Sequence, residues 1–321
     1  MNGVLVIDKP AGITSHDVVN RVRHILHQRS VGHLGTLDPM ATGVLPLVIG
    51  NMTRLAQFYT SSEKTYEGVI RFGFATDTYD AEGEPATPPQ DIKVSLDTLR
   101  DLAGNFRGII EQLPPPFSAK KIHGVPAYKL ARKRQNVPLQ RVTVEIKDFE
   151  ILGFTENFGG GSVVHLDNDA LQGSHACFRA RVASGTYMRS VAHDMGQHLG
   201  CGAHLAALRR TQLAEFELLD AHPLDELRSA TPEQLQKIFV HPRKLLPAIP
   251  AVTATPDSIV RIRTGRPVNL PELSRARQVK VFQGQQDLIA IATRVAGTLF
   301  HPGIVLLVQP ERATGGQRTR W

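Results

Sequence analysis

The residues best suited to chemistry lie together in the run Gly32-His33-Leu34-Gly35-Thr36-Leu37-Asp38-Pro39-Met40-Ala41-Thr42-Gly43. Its glycines permit sharp backbone angles and close approach by a ligand, while Pro39 biases Asp38 towards extended angles. One carboxylate held beside a stiff neighbour in an anchored loop is what covalent catalysis by an aspartate requires. Asp-Pro is also a common turn element, so spacing alone leaves two readings: a presented nucleophile or a turn. Read alone, Arg189 is a surface or phosphate-binding arginine, and Tyr66 fills the core on the face it shares with Ile70 and Phe72. A phenol titrates near ~10, which makes it a weak base without help from its surroundings.

Several chemistries are disfavoured. The 13 histidines include no His-Glu-x-x-His, and His193 and His198, five apart, match one helical face poorly. No metal site is therefore expected. The turn Asp80-Ala81-Glu82-Gly83 lacks the spaced ligands and terminal glutamate of a calcium loop. Cys177 and Cys201 have no Cys-x-x-Cys partner and cannot make a disulfide framework, so a reducing cytoplasm is the expected compartment. No stretch approaches the ~20 apolar residues of a membrane span, and the opening MNGVLVIDKPAG lacks the apolar region of a signal peptide.

These groups need elements to hold them. Ser15 reads as the N-cap of a helix to about Arg29, with Val18, Val22, Ile25 and Leu26 on one face. After the glycine-bounded loop comes an apolar run, Val44 to Ile49. Residues 64–75 alternate as a strand, with Tyr66, Ile70, Phe72 and Phe74 on one face and Glu67 and Arg71 on the other. Further helices are expected near Ser95–Ala103, Pro126–Gln135 and Thr186–Leu199. Strands are expected at Arg141–Phe154, Gly161–Leu166 and His175–Ala183. Proline recurs and periodicity fades over His241–Pro250. Beyond it lie β-like runs at Ser258–Ile262, Gln278–Phe282, Leu288–Thr293 and Gly303–Val308, separated by turns as in a small sandwich or barrel.

The 321 residues leave room for two domains. With 41% hydrophobic and 21% charged residues the composition is that of an ordinary globular protein and argues against disorder or coiled coil over most of the chain. The net charge of +7 is unevenly placed: residues 251–321 hold ten Lys or Arg against four acids. No acid occurs between Gln112 and Val144, a stretch containing Lys120, Lys121, Lys129, Arg132, Lys133, Arg134 and Arg141. Two separated basic regions fit an extended phosphate backbone better than a small anion; the alternative is a pair of solvated charged faces.

The glycine-bounded loop resembles the catalytic motif of the TruB-type pseudouridine synthases. So do five further segments, in order: Asp8-Lys9-Pro10-Ala11-Gly12-Ile13-Thr14-Ser15; Lys64-Thr65-Tyr66; Thr76-Asp77-Thr78-Tyr79-Asp80-Ala81-Glu82-Gly83; Gly185-Thr186-Tyr187-Met188-Arg189-Ser190; and Leu208-Arg209-Arg210. The resemblance implies an α+β fold: a central mixed, largely antiparallel sheet flanked by helices, followed by a small C-terminal β-barrel-like PUA domain. It implies a catalytic domain over 1–245 with a basic RNA-gripping insertion at 112–144, an RNA-binding domain over 251–312 and a mobile tail at 313–321. It further implies isomerisation of a uridine in the T-loop of tRNA, which needs no cofactor because substrate and product are isomers. Asp38 would be the nucleophile, acting on the pyrimidine ring or on the anomeric carbon, with Arg189 paired to it and Tyr66 stacking the extruded uracil. His33 would help hold the nucleotide out of its stack, Asp80 would bond near it or shape its hairpin, and Leu208 would wall the pocket. Lys9 and Pro10 would brace the loop, while Lys120, Lys121, Arg132, Arg209 and Arg210 would meet the RNA. The expected partner is the tRNA T-arm, met by a monomer without an obligatory protein partner. Two other functions fit parts of the pattern: a non-catalytic tRNA-binding chaperone, and a guide-RNA-dependent pseudouridine synthase subunit.

Overall fold

The structure is a computed structural model that describes residues 1–92, 94–117, 121–122, 125–126, 139–155, 174–272 and 274–307. Most of the chain up to residue 223 is built on one large sheet. Its strands are β1 (Gly3–Lys9), β2 (Val31–His33), β3 (Thr42–Ile49), β4 (Lys64–Phe72) and β5 (Gly108–Gln112), then, after the separate hairpin of β6 (Lys121–Ile122) and β7 (Val125–Pro126), β8 (Val142–Thr155), β9 (His175–Val182), β10 (Ala203–Leu213), β11 (Phe216–Glu217) and β12 (Ala221–Pro223). The order is β12-β1-β3-β10-β4-β9-β8-β5, with β2 on β3 and β11 on β10. Only the β1–β12 and β3–β10 pairs are parallel, so the sheet is mixed and largely antiparallel as expected.

Strand alternation explains why the N-terminal strands read as near-continuous apolar runs. Leu5, Ile7, Leu45, Leu47 and Ile49 face the core that also takes helix α1 (Ser15–Ile25). Their neighbours Val4, Val6, Val44 and Val48 face a second core on the opposite side. A strand buried on both faces has no polar side to show. On β4 the pattern is one-sided: Tyr66, Ile70 and Phe72 are buried, whereas Arg71 is exposed and Glu67 half-buried. Helices α2 (Leu96–Gly104) and α3 (Met188–His198) pack on β8 and β10, and the short α4 (Leu224–Ser229) and α5 (Pro232–Ile238) follow the sheet.

The chain then crosses into a five-stranded sheet of β13 (Ala251–Thr253), β14 (Val268–Asn269), β15 (Gln278–Gln283), β16 (Asp287–Ala296) and β17 (Leu299–Val305), ordered β13-β15-β16-β17-β14. Phe282, Leu288, Ile291 and Leu306 of this part close the second core against β1 and β3, while Val279, Val281, Ile289 and Phe300 form a core of its own. Among the described residues no helix is long and apolar enough to cross a membrane.

Three expectations are corrected. Helix α1 is capped by Thr14, whose side chain exchanges hydrogen bonds with Asp17, and not by Ser15; it ends at Ile25, because His27 adopts a positive φ of 47° that stops the helix short of Arg29. The run Ser258–Ile262 is not a strand but part of α6 (Pro256–Arg263), capped by Thr255 with proline in its first turn. The β-branched residues of that short run mimicked a strand. Pro126 lies in β7 rather than opening a helix; the rest of that expected helix to Gln135, the strand at Gly161–Leu166 and the tail at 313–321 fall outside the described residues.

Candidate active site

The loop carrying Asp38 is anchored on both sides. Ser15, freed from capping, accepts a hydrogen bond from the Leu37 amide at 2.8 Å and donates to the Leu37 carbonyl at 3.1 Å. Lys9 is fully buried, and its Nζ donates to the carbonyls of Pro10 (2.9 Å), Pro39 (3.1 Å) and Ala41 (2.7 Å). Burial brings its pKa down to about 8. Arg210, equally buried, donates to the carbonyls of Gly35 (3.0 Å), Thr36 (3.3 Å) and Val44 (2.7 Å). Gly43 takes a φ of +99°, and a Cβ there would overlap the Arg210 carbonyl oxygen. Two buried cations and one buried hydroxyl thus satisfy the loop's carbonyls and leave the Asp38 side chain 35% exposed at the end of a stiff support.

Arg189 stands at the start of α3 with its side chain 6% exposed. One terminal nitrogen donates to Asp38 Oδ1 at 2.9 Å and to the Phe117 carbonyl at 3.0 Å. The other donates to Asp80 Oδ2 and the Thr78 carbonyl, both at 3.3 Å. Asp80 also accepts from the Thr78 hydroxyl (2.6 Å) and the Glu82 amide (3.1 Å), so it shapes its hairpin and holds Arg189 at once. The chain at the start of the acid-free stretch 112–144 is fastened to the same helix start. Buried Gln112 exchanges hydrogen bonds with the Tyr187 amide and carbonyl, and Ser190 donates to the Leu113 carbonyl.

The electrostatic outcome differs from simple ionisation of Asp38 by its partner. Burial pushes the Asp38 carboxyl above the ordinary carboxylate range, and Asp80 adds to the rise. Arg189 and Lys9 oppose them without reversing the direction. Two clefts meet at this carboxylate. One, of about 270 Å³, is lined by Asp38, Lys64, Tyr66, Tyr187, Arg189 and Leu208 among others. The second, of about 670 Å³, runs past Ser15, His16, His33, Asp80, Glu82 and Phe117. Burial lowers the His33 pKa, and its Nδ1 has no hydrogen-bond partner.

The fold therefore brings Asp38, Tyr66, Arg189, Leu208, His33 and Asp80 to one place. Arg210 is a correction: its guanidinium is sealed beneath the loop and cannot meet RNA phosphates. Adjacent Arg209 faces the other way and pairs with Asp8 at 2.8 Å, remaining half-buried. Lys120 and Arg132 lie outside the described residues, as does the side chain of Lys121. Sequence reasoning missed Lys64, whose pKa burial and the neighbouring Arg210 lower to about 8, along with Gln112, Phe117 and Glu82. Lys64 had a signal, two residues before Tyr66 on the same strand face; Gln112 and Phe117 meet the site only through tertiary contact. Among the described residues no group of three or more His, Cys, Asp or Glu is placed to hold a metal ion.

Asp38, paired to Arg189, thus stands on a mixed sheet in a cleft that Tyr66 and Leu208 also line. Solved structures share the architecture: an H/ACA RNP bound to a substrate RNA containing 2'-deoxyuridine (TM-score 0.66, 22% identity, 95% of this chain and 85% of that one), and an archaeal Nop10–Cbf5 complex (TM-score 0.63, 23% identity, 95% and 86%). At that identity the likeness is one of fold.

The chain belongs to the TruB family of pseudouridylate synthases. The model of that family's N-terminal domain matches residues 23–188, and that of the tRNA pseudouridylate synthase B C-terminal domain matches 189–245. The chain is 47% identical to the tRNA pseudouridine synthase B of Solibacter usitatus over 95% of its own length and 100% of the relative's. With the protein of the same name from Aquifex aeolicus the identity is 37%, over 93% and 98%.

Proposed function

We propose that this pseudouridine synthase acts on tRNA, isomerising the T-loop uridine at position 55 after flipping it from its stack. The observation that carries the proposal is the Asp38–Arg189 pair at 2.9 Å, at the junction of two clefts with Tyr66 and Leu208 on the wall. The target base must leave its stack to reach a carboxylate recessed in a cleft, at a cost of a few kcal/mol. Cationic contacts outside the pocket offset that cost, and the acid-free stretch 112–144 and the basic C-terminal residues 251–312 supply them.

Within the pocket Tyr66 stacks the everted uracil, Leu208 closes the apolar wall, and His33 supports the nucleotide from the second cleft. Asp38 supplies the nucleophile in its ionised form, aimed by the planar fork of Arg189. The glycosidic bond of uracil breaks, the ring turns, and its carbon joins the ribose. One proton leaves that carbon and one returns to nitrogen, so nothing is gained or lost overall. The relatives named tRNA pseudouridine synthase B support tRNA as the substrate. The chain acts as a monomer without a guide RNA on this reading.

The test is base-resolved mapping of pseudouridine in an unmodified tRNA transcript treated with the pure chain. Product at the T-loop uridine without added guide or protein is expected. Asp38→Asn should abolish product and change tRNA affinity by no more than a few fold. Equal loss of both would mark Asp38 as structural, and product appearing only with a guide RNA would place the chain in a particle.

A further inference from the structure

The second cleft, which holds Asp38 and His33, has the first turn of α1 on its rim through His16. Residues His16, Asn20 and His24 repeat at helical spacing along one face of that helix, and His27 follows just beyond its C-terminus. At its far end they open onto a shallow groove of about 570 Å³, lined by Asn20, Arg23, His24, His27, Gln28 and Arg29. From His16 to His24 the stripe runs for about 12 Å, at the helical rise of ~1.5 Å per residue.

Charge along this segment of the chain is unbalanced. Between Pro10 and Ser62 the chain holds four arginines, four histidines and only two acids. One acid, Asp17, is engaged by the Thr14 cap and the other, Asp38, by Arg189. Arginines elsewhere in the sheet pair with carboxylates, as do Arg179 with Glu67 and Arg181 with Glu63. Arg23 instead donates to neutral oxygens, Asn20 Oδ1 at 3.2 Å and the Val31 carbonyl at 2.9 Å, and its buried Nε lacks a partner. Those bonds hold its charge in place without cancelling it. Ser30, next to Arg29, bonds the Gly50 carbonyl in the segment whose Arg54 reaches the Val305 carbonyl of β17.

We infer that the groove at the end of α1, with the stripe His16, Asn20, His24 and His27 leading to it, is a second contact surface for the RNA phosphate backbone. Polyanion is the chemistry that unneutralised arginines flanked by hydrogen-bonding imidazoles recognise. This surface lies apart from the basic insertion and rests on the reading that the substrate is tRNA.

The experiment is a titration of an unmodified tRNA transcript across a range of salt concentrations. His24→Glu/Arg29→Glu should weaken binding at least about tenfold at 0.1 M salt and flatten the salt slope. Arg29→Gln, which lies beyond the helix and leaves its last turn undisturbed, should weaken binding about two- to fivefold and reduce the slope by about one. Arg100→Glu on α2, a charge reversal on an exposed arginine of a helix that packs on β8 and does not line the groove, should stay within twofold. Variants at 24 and 29 that match the wild type in affinity and slope would overturn the inference and leave the proposed function standing. Wild-type protein that binds no tRNA would overturn both.

Discussion

At the scale of single residues, the Asp38–Arg189 pair works against its own desolvation. Burial raises the carboxyl's pKa, and the guanidinium at 2.9 Å restrains the rise. Arg189→Lys replaces a fork that serves Asp38, Asp80 and two carbonyls by a point charge that cannot reach all four. Turnover should fall by roughly 10²-fold. Because Arg189 lowers the Asp38 pKa, weakening it should also move the acid limb of the kcat/KM profile to higher pH; an unmoved limb would remove the pairing from the account. The same shift bears on stability. A carboxyl whose folded pKa is raised contributes stability that is complete below its unfolded value and lost as pH rises through the folded one. Asp38→Asn should therefore unfold at a temperature no lower than the wild type at pH 7–8, read by thermal melts at both ends of that range. Arg209 and Arg210 show the limit of residue-level reading. Two consecutive arginines look alike in a sequence, yet strand alternation sends one to the Asp8 carboxylate and the other beneath the loop.

At the scale of elements, the catalytic loop has the stiffness of its supports. Pro39 and the glycines read from the sequence permit the loop's shape, but β1, α1 and β10 hold it through Lys9, Ser15 and Arg210. Lys9→Met would leave the carbonyls of Pro10, Pro39 and Ala41 without their shared donor while keeping a side chain of similar length. A loss of about 1–3 kcal/mol in denaturant unfolding follows from such unsatisfied groups, together with a drop of about tenfold or more in turnover as Asp38 loses its fixed position. Stability lost with turnover intact would show that the loop holds its shape without Lys9. The helix that starts at residue 15 and the strand that starts at residue 64 were legible from their hydrophobic periods, and the strand holding Val44–Ile49 from its unbroken apolar run. Helix α6 was not, since a short run containing Ile259, Val260 and Ile262 fits either period and its Thr255 cap decides between them.

At the scale of the whole molecule, the C-terminal sheet covers a face of β1 and β3 that would otherwise be exposed. Phe282, Leu288, Ile291 and Leu306 share one core with Val4, Val6, Val44 and Val48. Asn51 and Arg54 add hydrogen bonds to the carbonyls of Leu306, Leu307 and Val305. Phe282→Ala should cost about 3–5 kcal/mol. Since the cluster spans both sheets, the loss should appear in one transition followed by probes in either part. Two separate transitions, only one of them shifted, would show that the sheets fold independently.

By itself the amino-acid sequence determined the chemistry available: one stiffly held carboxylate, an arginine and a tyrosine in motifs that share a family order, and basic stretches suited to a polyanion. Local pattern carries that much because turn residues, caps and hydrophobic period act over a few positions. Tertiary structure alone decided which cations reach the surface and which are sealed inside. It also placed Gln112 and Phe117 against the start of α3 and gave β1 and β3 a second buried face. These outcomes depend on residues tens to hundreds of positions apart meeting at hydrogen-bond distance, and on desolvation, which no residue experiences until the chain around it has packed.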